Sequence, residues 1–357
     1  MRKTIRGVFA GVSDAEGVPL ISVPDGSHDV RPVMDELADL IRERKGDKPL
    51  VILTGEVHHV VSHVLLPQIT MQAARLADPN LKIAHGIERS HNLMDILLRD
   101  RDDREVVAIQ TLPEAYLQYE NAPGAPVTRR NVMDYCIRHH IPVEAVDVAG
   151  SPDGDGNLDQ SDPATRMLVE KHARHLLRET IPGNESEGMR LRNIMAHSRI
   201  KRHLSETGAE VYVVPYGGAH LMGWKRMEER NEGPFPANES LGQLFYNDPD
   251  VDVMVIFPNY PGLGTEQIPE DVDRGLLGKT VVVDGLSPQD YWQKKENPAE
   301  VNAELGLQEA GFLREMARQS GGAFEVSDEV QHMVALAPDV GTDSPADWGA
   351  SGQRFEG

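Results

Sequence analysis

The sequence predicts an α/β fold, a mostly parallel central sheet flanked by helices with helical insertions. Three observations lead there. Short apolar runs recur at Leu50–Leu53, Leu81–Ile87, Pro142–Val148 and Val251–Phe257, and the first is unbroken, as in a strand covered on both faces. Segments with helical periodicity lie between them, which implies parallel strands joined by crossover helices. Two strands end in the same grammar, Gly55-Glu56-Val57-His58 and Gly217-Gly218-Ala219-His220. Ligands of open α/β sheets bind outside the carboxyl ends of the strands, so these two turns are expected to face one another across one site.

Taken in order, residues 1–28 mix short apolar pieces with Gly, Asp and Pro and read as an irregular segment with one edge strand. Asp29–Arg44 reads as a helix, because Val33, Met34, Leu37, Leu40 and Ile41 recur on one face. The stretch RERKGDKP stops it. After the Glu56–His59 turn comes a helix with Val60, Val61, Val64, Leu65, Ile69, Ala73 and Leu76 inward. Pro67 lies inside it, so a kink or break is expected there. The strand Leu81–Ile87 leads to Glu88 and a helix over Asn92–Leu98, and Val106–Ile109 is a weaker piece. Residues 113–127 read as a surface loop, rich in proline.

Arg129–His139 reads as a helix, and Pro142–Val148 as a strand with Asp147 near its carboxyl end. SPDGDGNLDQSDP is the clearest loop. Its Asp153, Asp155 and Asn157 resemble the start of a calcium loop, but the glycine and glutamate positions of an EF-hand are wrong. Helices follow over Ala164–Glu179 and Glu185–Thr207, then the strand ending at Tyr216 and a helix over Ser240–Phe245. Val251–Phe257 and Thr280–Val283 are further strands, with a Gly- and Pro-rich stretch over 259–279 that would cover the site. Glu300–Arg318 reads as a closing helix, and the tail from Pro338 as disordered or loosely attached. The expected division is 1–48, an irregular segment and first helix; 49–320, the α/β domain; and 321–357, a C-terminal extension.

Composition narrows the function. With 36 basic and 57 acidic residues the net charge is −21, which opposes binding to nucleic acid or an anionic membrane. No run approaches the roughly 18–20 apolar residues of a membrane span, mean hydropathy is −0.41, and the first residues are too interrupted for a secretion signal. A cytoplasmic protein is expected. One cysteine, Cys136, rules out an internal disulfide and a cysteine-based zinc cluster, and it reads as a buried apolar residue.

The candidate site gathers Glu56, His58, His59, Glu88, Asp147 and His220, all at or just past the carboxyl end of an inferred strand. Imidazoles and carboxylates on one rim suit a divalent metal or general acid/base activation of water. Gly217 and Gly218 allow a tight turn and close backbone approach to a ligand. His59 and His63 lie one helical turn apart and fit a ligand pair, although His63 also fits an exposed helix surface. His139, His140, His172 and His175 read as surface residues. Arg192 fits a partner that reaches the rim and neutralises a carboxylate or an oxyanion, or a solvated basic face shared with Arg190, Arg199, Lys201 and Arg202.

The pattern Gly55-Glu56-Val57-His58, Ile87-Glu88, Arg192-Asn193-x-Met195-Ala196 and Gly217-Gly218-Ala219-His220 resembles the erythromycin esterase/ChaN-like superfamily, which is related in fold to the TraB and Tiki proteins. The resemblance covers about residues 49–225, and more loosely to about 285. It implies a site at the carboxyl rim of the sheet. Members hydrolyse a macrolide lactone, cleave peptides with a metal, or bind haem. Carried over, Glu56 and His58 are the pair of the first motif, Glu88 the acid of the second strand, Arg192 the helix arginine and His220 the histidine of the second motif. The expectation is a hydrolase of an ester, amide or peptide bond in a small-molecule or peptide substrate. Glu56, His58, Glu88 and His220 would hold a divalent metal; Glu56 or Glu88 would take a proton from water, directly or on that metal, His58 and His220 would bind the metal or polarise the substrate, Arg192 would stabilise negative charge, and His59, Gly217 and Gly218 would line the ligand. The alternative is a haem- or ligand-binding protein that uses the same rim without catalysis.

Overall fold

The apolar runs become the strands of one sheet. The computed structural model describes residues 3–4, 18–24, 27–56, 61–90, 126–150, 156–223, 235–259, 272–285, 298–328 and 330–332. Among these residues, eight strands are ordered β1-β2-β8-β7-β3-β6-β4-β5. They are β1 (Lys3–Thr4), β2 (Pro19–Ser22), β3 (Leu50–Glu56), β4 (Ile83–Ser90), β5 (Val143–Asp147), β6 (Val211–Gly217), β7 (Asp252–Pro258) and β8 (Thr280–Asp284). Among the described strands, only β1 runs antiparallel, at the edge beside β2; the other seven are parallel. All of β3 is buried, which explains its unbroken apolar sequence.

Two helical layers cover the sheet. One face carries α1 (Arg31–Arg44), α2 (Val61–Ala77), α3 (Pro126–Arg138) and α9 (Pro298–Gln319). These pack with Leu50 and Ile52 of β3 and Val211 and Val213 of β6. The other face carries α5 (Ser186–Thr207), α6 (Gly218–Met222), α7 (Leu241–Tyr246) and α8 (Arg274–Gly278). These pack with Val51 and Leu53 of β3 and Tyr212, Val214 and Tyr216 of β6. Alternate residues of each strand thus serve opposite layers. The helix α4 (Pro163–His172) packs on α5 in a smaller cluster.

This order creates a switch point. From β3 the chain crosses to β4 through α2 on one face, and from β6 it crosses to β7 through α6 and α7 on the other. Because β3 and β6 are neighbours, the two connections diverge at their shared carboxyl end, where α/β sheets place ligands.

Some expectations change in detail. α2 runs through Pro67 without a break, with fourteen buried residues including Pro67 itself. An interior proline costs about 3 kcal/mol, less than the burial of that many side chains returns. His63 is buried rather than exposed. Residues 18–44, expected as an irregular segment and a helix, supply β2 and α1 to the common sheet and core. Part of the expected C-terminal extension is packed, with Phe324, Val326 and Val330 in the core of the α1/α2 layer. Cys136 is buried as expected, and burial pushes its thiol well above the usual range. The helix over 92–98, the piece at 106–109, most of the 113–127 loop, residues 151–155 and 260–271, and the tail from 338 lie outside the described residues. Among the described residues, no helix is long and apolar enough to cross a membrane.

Candidate functional site

Glu56, Glu88, Asp147 and Gly217 all stand at the carboxyl rim. Glu56 and Gly217 are register partners on β3 and β6. Ser90 pairs with Asp147 after an irregularity that begins at Ile87. Glu88 therefore lies inside the irregular end of β4.

The α5 face carries a charged cluster. Arg192 Nη2 donates to Glu88 Oε1 at 2.7 Å and to Asp147 Oδ2 at 2.6 Å. Its Nε donates to both oxygens of Asp147, at 3.2 and 3.0 Å, and Nη1 reaches Asn184 Oδ1 at 3.3 Å. The planar fork suits this two-carboxylate geometry. Burial works against the Arg192 charge, but Asp147 and Glu88 outweigh it and hold the guanidinium protonated. Glu88 Oε2 accepts the Gly217 backbone N–H at 2.7 Å, and Asp147 Oδ1 accepts that of Val148 at 2.8 Å. Both carboxylates are thus fixed at their strand ends.

His220 lies in α6 and is 5% exposed. Its Nδ1 is 2.7 Å from Asn193 Oδ1, and its Nε2 is 3.9 Å from Glu88 Oε1. The Tyr216 ring meets the imidazole edge to face at 4.9 Å. Burial, with Asp147 next in effect, pushes the Tyr216 hydroxyl far above its usual range.

Glu56 turns the other way. It shares strand parity with Leu50 and Ile52, so it points into the layer of α2 and α3, where Arg129 of α3 donates to it. His85 sits in the same layer and its Nδ1 lies 2.9 Å from the Val213 carbonyl; burial pushes its imidazole down to about 4. Glu56, Arg129 and His85 line a cavity of about 10 Å³, room for about one water. Behind Arg129, Glu309 of α9 is buried and accepts from Thr128 N at 3.0 Å and Thr128 Oγ1 at 3.1 Å.

Of the sequence-predicted residues, the structure brings together Glu88, Arg192, Asp147, Gly217 and His220. It directs Glu56 to the opposite face. His58 and His59 lie outside the described residues. Arg192 reaches the rim and neutralises carboxylates, those of Glu88 and Asp147. Gly217 contributes its N–H, and its φ of −49° is open to any residue. A Cβ on Gly218 would meet Phe257 at an ordinary 3.6 Å. Sequence reading missed Arg129, and it gave no role to Asn193 or Tyr216.

Among the described residues, no group of three or more His, Cys, Asp or Glu side chains converges to hold an ion. Of the four predicted ligands, His220 and Glu88 stand together, with Nε2 and Oε1 3.9 Å apart, and His58 lies outside the described residues. Glu56 does not fit such a set, since it points into the other layer.

No family model matches the chain, and no curated protein matches it. Three solved structures are similar, each at a TM-score of 0.35. The type III effector HopBA1 is 16% identical, over 70% of this chain and 93% of that one. ChaN of Campylobacter jejuni, in a structure of cofacial haem binding, is 12% identical over 66% and 88%. A Bacillus cereus protein is 8% identical over 66% and 72%.

Proposed function

We propose that this protein is a hydrolase whose reaction centre is the pair His220 and Glu88 at the carboxyl rim, acting on an ester, amide or peptide bond. The observation that carries the reading is the 3.9 Å between His220 Nε2 and Glu88 Oε1. This is too long for a direct hydrogen bond. One water making two bonds of about 2.8 Å spans about 4 Å and donates to both groups. His220 then takes the proton as the water attacks a carbonyl carbon, and the imidazolium returns it to the leaving oxygen or nitrogen as the scissile C–O or C–N bond breaks, giving a carboxylic acid and an alcohol or amine. Glu88 lies beside the imidazolium that forms and stabilises it. Arg192 and the Gly217 N–H hold Glu88 oriented throughout.

The test compares the wild type with His220→Gln and Glu88→Gln on a panel of p-nitrophenyl esters and chromogenic peptides, before and after dialysis against a chelator. Turnover on at least one substrate is expected, with a loss of about 10²–10⁴-fold in each variant; loss on dialysis, restored by a divalent metal, would mark the water as metal-bound. Full activity in both variants would overturn the reading. So would a wild type that turns over no substrate but gives a Soret band with haem, which would make the rim a binding site.

A further inference from the structure

We infer that Asn193 is a positioning residue that holds His220 in the tautomer protonated on Nδ1, with the basic lone pair of Nε2 directed at Glu88. This deepens the hydrolase reading and rests on it for its kinetic part alone. Asn193 is fully buried on α5. Its Nδ2 donates to the Glu239 carbonyl at 3.0 Å, and a carbonyl only accepts. The amide NH₂ therefore faces Glu239, and Oδ1 faces His220 Nδ1 at 2.7 Å. Oδ1 also only accepts, so the proton between the two belongs to His220 Nδ1. A flipped amide would set two acceptor oxygens 3.0 Å apart at Glu239 and leave buried groups unbonded, which disfavours it by about tenfold or more. The backbone of the short turn Ala237–Glu239 thereby sets which imidazole nitrogen is basic. Tyr216, edge to face with the ring at 65°, fixes its plane.

The experiment is NMR of protein labelled with ¹³C and ¹⁵N at histidine, with the His220 signals identified by their loss in His220→Gln. The expected result in the wild type is the Nδ1–H form, about tenfold or more over the other. In Asn193→Ala the ratio should move toward Nε2–H by about tenfold, and kcat should fall while KM stays. A wild-type His220 protonated mainly on Nε2 overturns the inference, whether or not any variant folds. So does an Asn193→Ala ratio equal to that of the wild type. An Nδ1–H form in a protein that hydrolyses nothing would uphold the role of Asn193 and sink the hydrolase reading. Hydrolysis lost in His220→Gln with an Nε2–H wild type would do the reverse.

Discussion

Arg192 and Asn193 are consecutive residues of α5, and each holds one member of the candidate reaction pair: Arg192 the Glu88 carboxylate and Asn193 the His220 imidazole. Glu88 comes from β4 and His220 from the turn after β6. Neither is near the other in sequence, so their separation is set by one rigid turn of helix. Any change that shifts α5 moves both groups against the strand ends.

Replacing Arg192 tests that arrangement directly. Arg192→Ala leaves two poorly exposed carboxylates without their shared cation, and loss of one partner of a buried pair costs about 3–5 kcal/mol. Arg192→Lys keeps the charge but loses the fork, so it cannot bridge Glu88 and Asp147 as Arg192 does. The lysine variant is expected to stay folded and to lose about 10²-fold in kcat/KM through misplacement of Glu88. Urea unfolding and steady-state kinetics check the two parts, and a lysine variant with wild-type kinetics would refute the clamp.

Gly188, in the first turn of α5, is a second handle. In an open helix alanine is better than glycine by about 1 kcal/mol. Here a Cβ would lie 2.0 Å from the Pro182 carbonyl oxygen and 2.9 Å from Gly183 Cα. Both are backbone atoms, so the helix itself must shift. Gly188→Ala is expected to lower stability by at least about 1–3 kcal/mol and to reduce turnover with it. A raised melting temperature would show that the helix start has room.

The strands were readable because both of their faces are buried: β3 carries LVILT and β7 carries VMVIF with no outward polar alternation. The rim positions of Glu56, Glu88, Asp147 and His220 followed from those strand ends. What the pattern did not reveal is the face each side chain takes. Parity along the strand held that signal, since Glu56 falls in step with Leu50 and Ile52 while Glu88 falls in step with Ala84. It becomes useful only once the layer behind each strand face is known. The partners were out of reach for the same reason: Arg129 is 73 residues from Glu56 and Asn193 is 27 from His220. Arg129 reads locally as one more basic residue on a short helix.

That division of faces separates the roles of the two glutamates. Glu88→Gln alters the carboxylate beside His220, whereas Glu56→Gln alters a carboxylate paired with Arg129 on the far side of the sheet. Glu56→Gln should cost about 3 kcal/mol or more of stability, as a broken buried pair does, yet keep most of its kcat per folded molecule. Kinetics corrected for the folded fraction by urea titration would check this. A folded Glu56→Gln as inactive as Glu88→Gln would return Glu56 to the reaction centre.

Glu309 predicts a pH dependence of stability. Burial pushes its carboxyl up from 4.5 to about 7, against the hydrogen bonds from Thr128 and the charge of Arg129. Below about 4.5 it is neutral in both the folded and the unfolded chain. Between about 4.5 and 7 the unfolded chain ionises while the folded one stays protonated, so unfolding releases a proton and stability falls as pH rises. Above about 7 the accumulated cost is constant, on the order of 3 kcal/mol. Glu309→Gln stays neutral and keeps an acceptor for Thr128. The variant should gain on the wild type steadily from pH 5 to 7 and hold that gain at pH 8. Urea unfolding of both proteins across this range measures the difference, and a gain that does not vary with pH would mean that Glu309 is not the buried neutral acid its surroundings require.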